Sequence, residues 1–153
     1  MYNAHMDPQL RQIHDALFDL FRVANAPQPD ALLIQEAGIT LDRALLPLLA
    51  RIGRLGRVGV VELAEMVGRD YTTVSRQAAK LESLGLIERK ASATDKRVRE
   101  ATLTPEGEAM NAAVDGARDR LFRAHFDRWP DHEKAELGRL LRKMADEALN
   151  WTR

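Results

Sequence analysis

The apolar residues of this chain recur mostly at spacings of three and four, with one interval where the spacing shortens. Spacings of three and four stack side chains on one face of an α-helix, whereas alternation lines one face of a strand. Leu10, Ile13, Leu17, Leu20 and Phe21 predict a first helix from Pro8 to about Val23. Asp7 is placed to cap it, with Pro8 at the first position, where a missing N–H costs nothing. The breaker-rich stretch 25–29 predicts its end, and a short helix over 30–37 follows, closed by Gly38. Thr40 is the expected cap of a longer helix with the buried stripe Leu41, Leu45, Leu48, Ile52 and Leu55. Pro47 inside that pattern predicts a kink, and Gly53, Gly56 and Gly59 loosen its end.

Residues 60–67 read as a short helix with Leu63, Ala64 and Val67 turned inward and Gly68 as its stop. Asp70 caps the next helix, whose inner face is Val74, Ala78, Leu81 and Leu84, and Gly85 ends it. The period then changes. Residues 86–90 and 98–103 read as two short strands, joined through a polar turn over 91–97. Thr104, Pro105 and Glu106 open another helix, with Met110, Val114, Ala117, Leu121 and Phe122 on its apolar side until Pro130 breaks it. Asp131 starts the last, lined by Leu137, Leu140, Leu141, Met144 and Leu149.

The fold class that follows is mainly α with a small β-hairpin. Two short helices about a glycine turn, then a hairpin, form a winged helix-turn-helix. The expected organisation is a disordered tail over 1–7 and a single subunit over 8–153, with the winged module at 40–104. A length of 153 residues suits one compact subunit. There is no apolar run of about 18 residues to span a membrane, and the first ten residues lack an apolar signal core. The absence of cysteine excludes disulfides, thiolate zinc sites and thiol redox sensing. It fits a reducing compartment, and a cytoplasmic location is the expectation.

Formal net charge is zero, so any attraction to nucleic acid has to come from local charge. Over 69–100, eight basic residues stand against five acidic ones; over 1–50 the count is three against six. The basic segment contains the helix that a helix-turn-helix lays in the major groove. There Thr72, Thr73, Ser75, Arg76, Gln77 and Lys80 fall off the buried stripe. Thr72 and Thr73, in the first turn, suit a phosphate; Arg76 suits a guanine or a phosphate; Gln77 suits an adenine edge; Lys80 suits the backbone. By itself such a helix reads first as a solvated amphipathic face, since most polar helix faces are merely solvated. The hairpin shifts the balance, because Arg89, Lys90, Lys96, Arg97 and Arg99 gather on it. An arginine at its tip suits a narrow minor groove, and Asp95 can hold Arg97 extended by a charge-assisted hydrogen bond.

Residues 63–107 resemble the core signature of the MarR (multiple antibiotic resistance regulator) transcription factors. The matching stretches are TVSR at 73–76, LESLGLIER at 81–89, Asp-x-Arg at 95–97 and LTPEG at 103–107. The resemblance runs over nearly the whole chain from Pro8. It implies a homodimer in which the first and last helices of both subunits interlock, making 8–37 and 105–153 dimerisation helices. It also implies that Arg97 enters the minor groove with Asp95 supporting it. Relatives of this kind often bind small anionic or aromatic effectors between the dimerisation and DNA-binding parts, and Arg11, His14, Arg43 and Arg57 lie near where such ligands sit. The resemblance leaves the shape of the segment around Pro47 open.

From the residues alone, the stripes of the terminal helices pack either within one subunit or against a second. The winged module has a core of its own, so Leu10, Ile13, Leu17, Leu121, Leu137, Leu141, Met144 and Trp151 are candidates for the interface of a two-fold dimer. His5, His14, His125 and His132 have no recognised ligand spacing, so no metal is expected, and no cofactor motif is present. No phosphate-binding glycine loop or nucleophile elbow supports an enzyme. An RNA reader would expose an aromatic stacking platform, which the module lacks. A winged module turned to protein binding remains the main rival, although it would be expected to have lost Arg76 and Arg97. The expected function is that of a ligand-responsive repressor binding a pseudo-palindromic operator in double-stranded DNA.

Overall fold

The computed structural model describes residues 6–151. Most of the expected tail, and His5 with it, lies outside the described residues. Helix α1 runs Pro8–Ala24, and the Asp7 side chain accepts from the Gln9 backbone N–H at 3.0 Å. Asp7 therefore belongs to the helix start. Helix α2 is Pro27–Ala37, which begins earlier than the sequence suggests. Pro27 and Pro29 sit in its first turn, where backbone N–H groups have no partner within the helix, so the prolines start α2.

The same principle corrects the next segment. Thr40 caps no helix. Asp42 caps a 3-10 turn, Arg43–Leu45, by accepting from the Ala44 N–H at 2.9 Å, and α3 (Leu46–Leu55) follows with Pro47 in its first turn. Pro47 opens a helix and kinks none. Leu45, Leu48 and Ile52 are buried as expected, but Leu55 is exposed. Gly53 does not loosen α3: a Cβ there would press on the Asn111 side chain, so this glycine lets α3 pack closely. Gly56, at φ 76°, ends the helix. Gly59 lies in β1 (Val58–Gly59), a two-residue strand too short to carry a period.

Helices α4 (Val60–Val67) and α5 (Tyr71–Ser83) form the helix-turn-helix, and β2 (Ile87–Ala91) and β3 (Arg99–Leu103) form the hairpin. Leu84, expected on the inner face of α5, is its C-cap and is exposed. The sheet is antiparallel in the order β1-β3-β2, with Ala101 of β3 paired to Val58 on one side and Arg89 on the other. Leu48, Leu49, Ile52, Val58, Leu63, Val74, Ala78, Leu81, Ile87 and Ala101 make one core beneath helices and sheet. This core fixes where α5 and the hairpin stand.

Helix α6 (Pro105–His125) starts against that core. Thr104 Oγ1 accepts from the Gly107 N–H at 3.0 Å and donates to the Gly85 carbonyl. A Cβ on Gly107 would collide with the Leu86 carbonyl oxygen, which explains the glycine of the LTPEG stretch. Helix α7 is Asp131–Trp151. The chain divides into two compact units at 117/118. In the second, Phe126 stacks on Phe122 and meets Trp129 edge-on at 5.2 Å between centroids. No described helix is long and apolar enough to cross a membrane.

Candidate nucleic-acid interface

The start of α5 is pinned by its own cap. Asp70 accepts from the Thr73 N–H at 2.8 Å and from the Thr73 hydroxyl at 2.7 Å. The Thr73 hydroxyl, ahead of its backbone N–H, holds the Asp70 carboxyl below the usual range. Thr73 is thus engaged in the cap, and a carboxylate occupies the position expected to suit a phosphate. Gln77 is drawn aside as well. Its amide oxygen accepts from Arg69 Nη1 at 2.9 Å, and the same nitrogen donates to the Ala44 carbonyl at 2.8 Å. Arg69 and Gln77 tie α5 to the 3-10 turn, a link that engages one lone pair of the Gln77 oxygen.

What remains outward is a row on one face. Thr72, Arg76, Ala79 and Lys80 are exposed and Ser75 is half-buried, while Val74, Ala78 and Leu81 hold the opposite side in the core. Ser83 continues the row but donates its hydroxyl to the Lys80 carbonyl at 2.7 Å. Sequence reasoning passes over Ala79 because it carries no group that signals a contact.

The wing tip is ordered by Ser92, a buried residue that the sequence pattern does not single out. Its N–H donates to the Val98 carbonyl at 2.8 Å, and its Oγ accepts from the Thr94 N–H at 3.3 Å. The Val98 N–H closes the turn on the Asp95 carbonyl at 3.0 Å. Asp95 then takes three hydrogen bonds from Arg97: from the backbone N–H and Nε, both at 3.1 Å, and from Nη2 at 3.2 Å. The Arg97 side chain is nevertheless 90% exposed. These contacts hold the Asp95 carboxyl below its usual range, with the guanidinium the leading cause. Lys96, beside it, is exposed.

Other cations of the basic segment are paired. Arg89 wraps Glu82 at 3.0–3.3 Å, joining the end of α5 to β2, and lowers the Glu82 carboxyl. Lys90 meets Glu88 at 3.1 Å. Among the described residues no ion pair engages Arg76, Lys80, Lys96 or Arg99. The spare positive charge therefore lies on α5 and the hairpin.

None of the candidate interface residues elsewhere is buried. No residue of α1 or α7 is buried; Leu10, Ile13, Leu141 and Met144 are exposed, Leu17, Leu121 and Leu137 are half-buried, and Trp151 is 85% exposed. Of the residues placed near an effector by resemblance, His14 lies 3.3 Å from Asp15 and Arg57 3.5 Å from Glu100. Arg43 is exposed in the 3-10 turn and Arg11 half-buried on α1. Among the described residues no cluster of three histidines or carboxylates could hold a metal ion.

Comparison with known proteins bears on the same segment. The MarR family model matches residues 41–98, from the end of the α2–α3 connection through the wing tip. An uncharacterized HTH-type transcriptional regulator of Bacillus subtilis, YxaD, is 36% identical over 104 residues, covering 68% of this chain and 73% of its own length. Among solved structures, a MarR family protein from Bacillus stearothermophilus superposes with a TM-score of 0.79 at 20% identity, covering 94% of this chain and 99% of its own. A crystal structure of MarR does so at 0.70 and 25% identity, over 96% and 97% of the two chains. The fold of the former reaches α1, α6 and α7 as well as the winged module. With its helix-turn-helix, its Asp95–Arg97 wing and a relative of this identity and coverage, the chain belongs to the MarR family.

Proposed function

We propose that this chain is a transcriptional regulator that binds double-stranded DNA through α5 and the wing. The observation that carries the reading is Arg97, whose guanidinium donates two hydrogen bonds to Asp95, with a third from its backbone N–H, yet whose side chain lies 90% in solvent. Fixing a long side chain costs conformational entropy. A fixed, open cation at a hairpin tip suits the enhanced negative potential of a narrow minor groove. Thr72, Ser75, Arg76 and Lys80 then face the major groove from α5, and Lys96 and Arg99 meet phosphates. Thr73 and Gln77 act by setting α5 in place.

The uncovered stripes of α1 and α7 support a homodimer. In this reading residues 40–104 are the DNA-binding module and 8–37 and 105–153 the dimerisation helices, with Leu10, Ile13, Leu17, Leu121, Leu137, Leu141 and Met144 at the interface. A two-fold protein reads a pseudo-palindrome with half-sites about one helical turn apart. Exclusion of polymerase from the operator makes the chain a repressor, and a small anionic or aromatic effector releases it. No enzymatic step is required of any residue.

The test is selection of bound sequences from a random duplex pool at stated salt, with wild type and Arg97→Ala in parallel. A pseudo-palindrome selected by wild type and enriched less by Arg97→Ala is the expected result. No enrichment over bulk duplex would overturn the DNA-binding reading and favour a module turned to protein binding. A reporter behind the selected operator that fell on deletion of the regulator would overturn repression.

A further inference from the structure

Helices that lie in the major groove read it with residues at i, i+3, i+4 and i+7, the positions that share one face over two turns. On α5 that quartet is Thr72, Ser75, Arg76 and Ala79. The first three carry hydroxyls or a guanidinium. Ala79 carries a single methyl group, and it is exposed in the middle of a row otherwise made of polar side chains. It stands between Arg76, one turn before it, and Ser83, one turn after it.

We propose that Ala79 contacts the 5-methyl group of a thymine in each half-site, and is the apolar specificity residue of α5. The inference rests on the DNA-binding reading above. Three observations carry it. Val74, Ala78 and Leu81 anchor the opposite side of α5 in the core, so the Ala79 methyl cannot turn inward. Residue 79 is small, which lets the helix axis approach the base edges where a longer side chain would hold it off. Thymine is the base that presents an apolar group in the major groove, and alanine is among its usual partners.

The geometry also places the thymine relative to the neighbouring contact. Ala79 follows Arg76 by three residues, a rise of about 4.5 Å along the helix. Base pairs repeat every ~3.4 Å along a strand. The thymine therefore falls one or two base steps from the nucleotide that Arg76 contacts. If Arg76 forks a guanine, each half-site carries a guanine and a thymine within that distance.

The experiment uses the full chain and the duplex selected from the random pool. Each thymine of one half-site is replaced singly by deoxyuridine, which removes the 5-methyl group and keeps every hydrogen-bonding group. Binding is measured for wild type, Ala79→Ser and Ala79→Gly. For wild type, one position is expected to weaken binding about fourfold, the contribution of one buried methyl group. In Ala79→Ser that same substitution is expected to change affinity less than about twofold. Ala79→Gly gives the same comparison, and because each protein is compared with itself, any loss of helix stability cancels.

If no uracil position weakens wild type beyond about twofold, the inference is overturned while DNA binding stands. It is overturned equally if the fourfold loss persists in both variants, because the methyl then meets another residue. A pool that enriches no sequence would overturn the DNA-binding reading itself.

Discussion

The winged module and the terminal helices carry apolar stripes of similar regularity but use them differently. In the module, Leu48, Ile52, Leu63, Val74, Ala78 and Leu81 are fully buried. In α1 and α7 no residue is buried, and Ile13 and Leu10 are more than half exposed. A stripe at helical spacing states that a face seeks cover; it does not state which surface supplies it. The module finds that cover within its own chain, because three helices and three short strands enclose a common volume. The stripes of α1 and α7 are left exposed, which is why they enter the proposal as a contact with a second copy.

This contrast can be broken most sharply at the core. Leu63→Ala is expected to cost about 2–5 kcal/mol in urea unfolding, since it empties a fully buried site. An equal loss from Leu10→Ala, measured at a concentration where the chain is monomeric, would erase the distinction between the two regions.

The next test addresses the stripes. Ile13→Asp combined with Leu141→Asp removes apolar side chains each contributing about 1.5–3 kcal/mol if buried. On the proposed interface, sedimentation should then report a folded monomer where wild type is expected to sediment as a dimer. A variant that stayed dimeric would move the interface elsewhere, and one that unfolded would put the stripes inside the subunit.

A smaller effect is expected where the module hands over to α6. Thr104→Val leaves the buried Gly107 N–H without its acceptor, at a cost of about 1–2 kcal/mol in thermal or urea unfolding. A neutral substitution would mean that the cap contributes nothing to the junction.

The smallest effect is read at a single group. The Asp95 carboxyl is held low by Arg97, so their pairing is intact above the usual carboxylate range and is lost as pH falls through the lowered value. In Arg97→Ala the Asp95 carboxyl should titrate at higher pH, followed by NMR of its side-chain carbon. An unchanged titration would mean that the wing arginine is not held in solution.

Much of this is legible in the chain because it is local. Asp7, Asp70 and Thr104 act as caps as their positions suggest, and Gly38, Gly68 and Gly85 take positive φ where helices or turns end. The hairpin falls within one residue of its expected bounds. The misses have two causes: a local cap that the apolar pattern masks, and a strand partner far along the chain. Pro47 reads as a kink because the apolar pattern continues through it, while the 3-10 turn that makes it a helix start depends on Asp42 accepting from Ala44. β1 is too short to show alternation and exists because β3 offers it a partner at Ala101 and Glu100.

The candidate interface divides along the same line. Sequence alone determined that α5 has an apolar and a polar side, that the wing tip is basic, and that Asp95 stands two residues from Arg97, because each is a matter of neighbours along the chain. Only the tertiary structure decided which polar groups of α5 are free to face outward. Gln77 is drawn toward the 3-10 turn because Arg69 binds it while reaching back to the Ala44 carbonyl, a partner distant in sequence. Ala79 enters the row because the core fixes the rotation of α5 about its axis. Hydrogen bonding and burial are satisfied in three dimensions, through partners that spacing along the chain does not show.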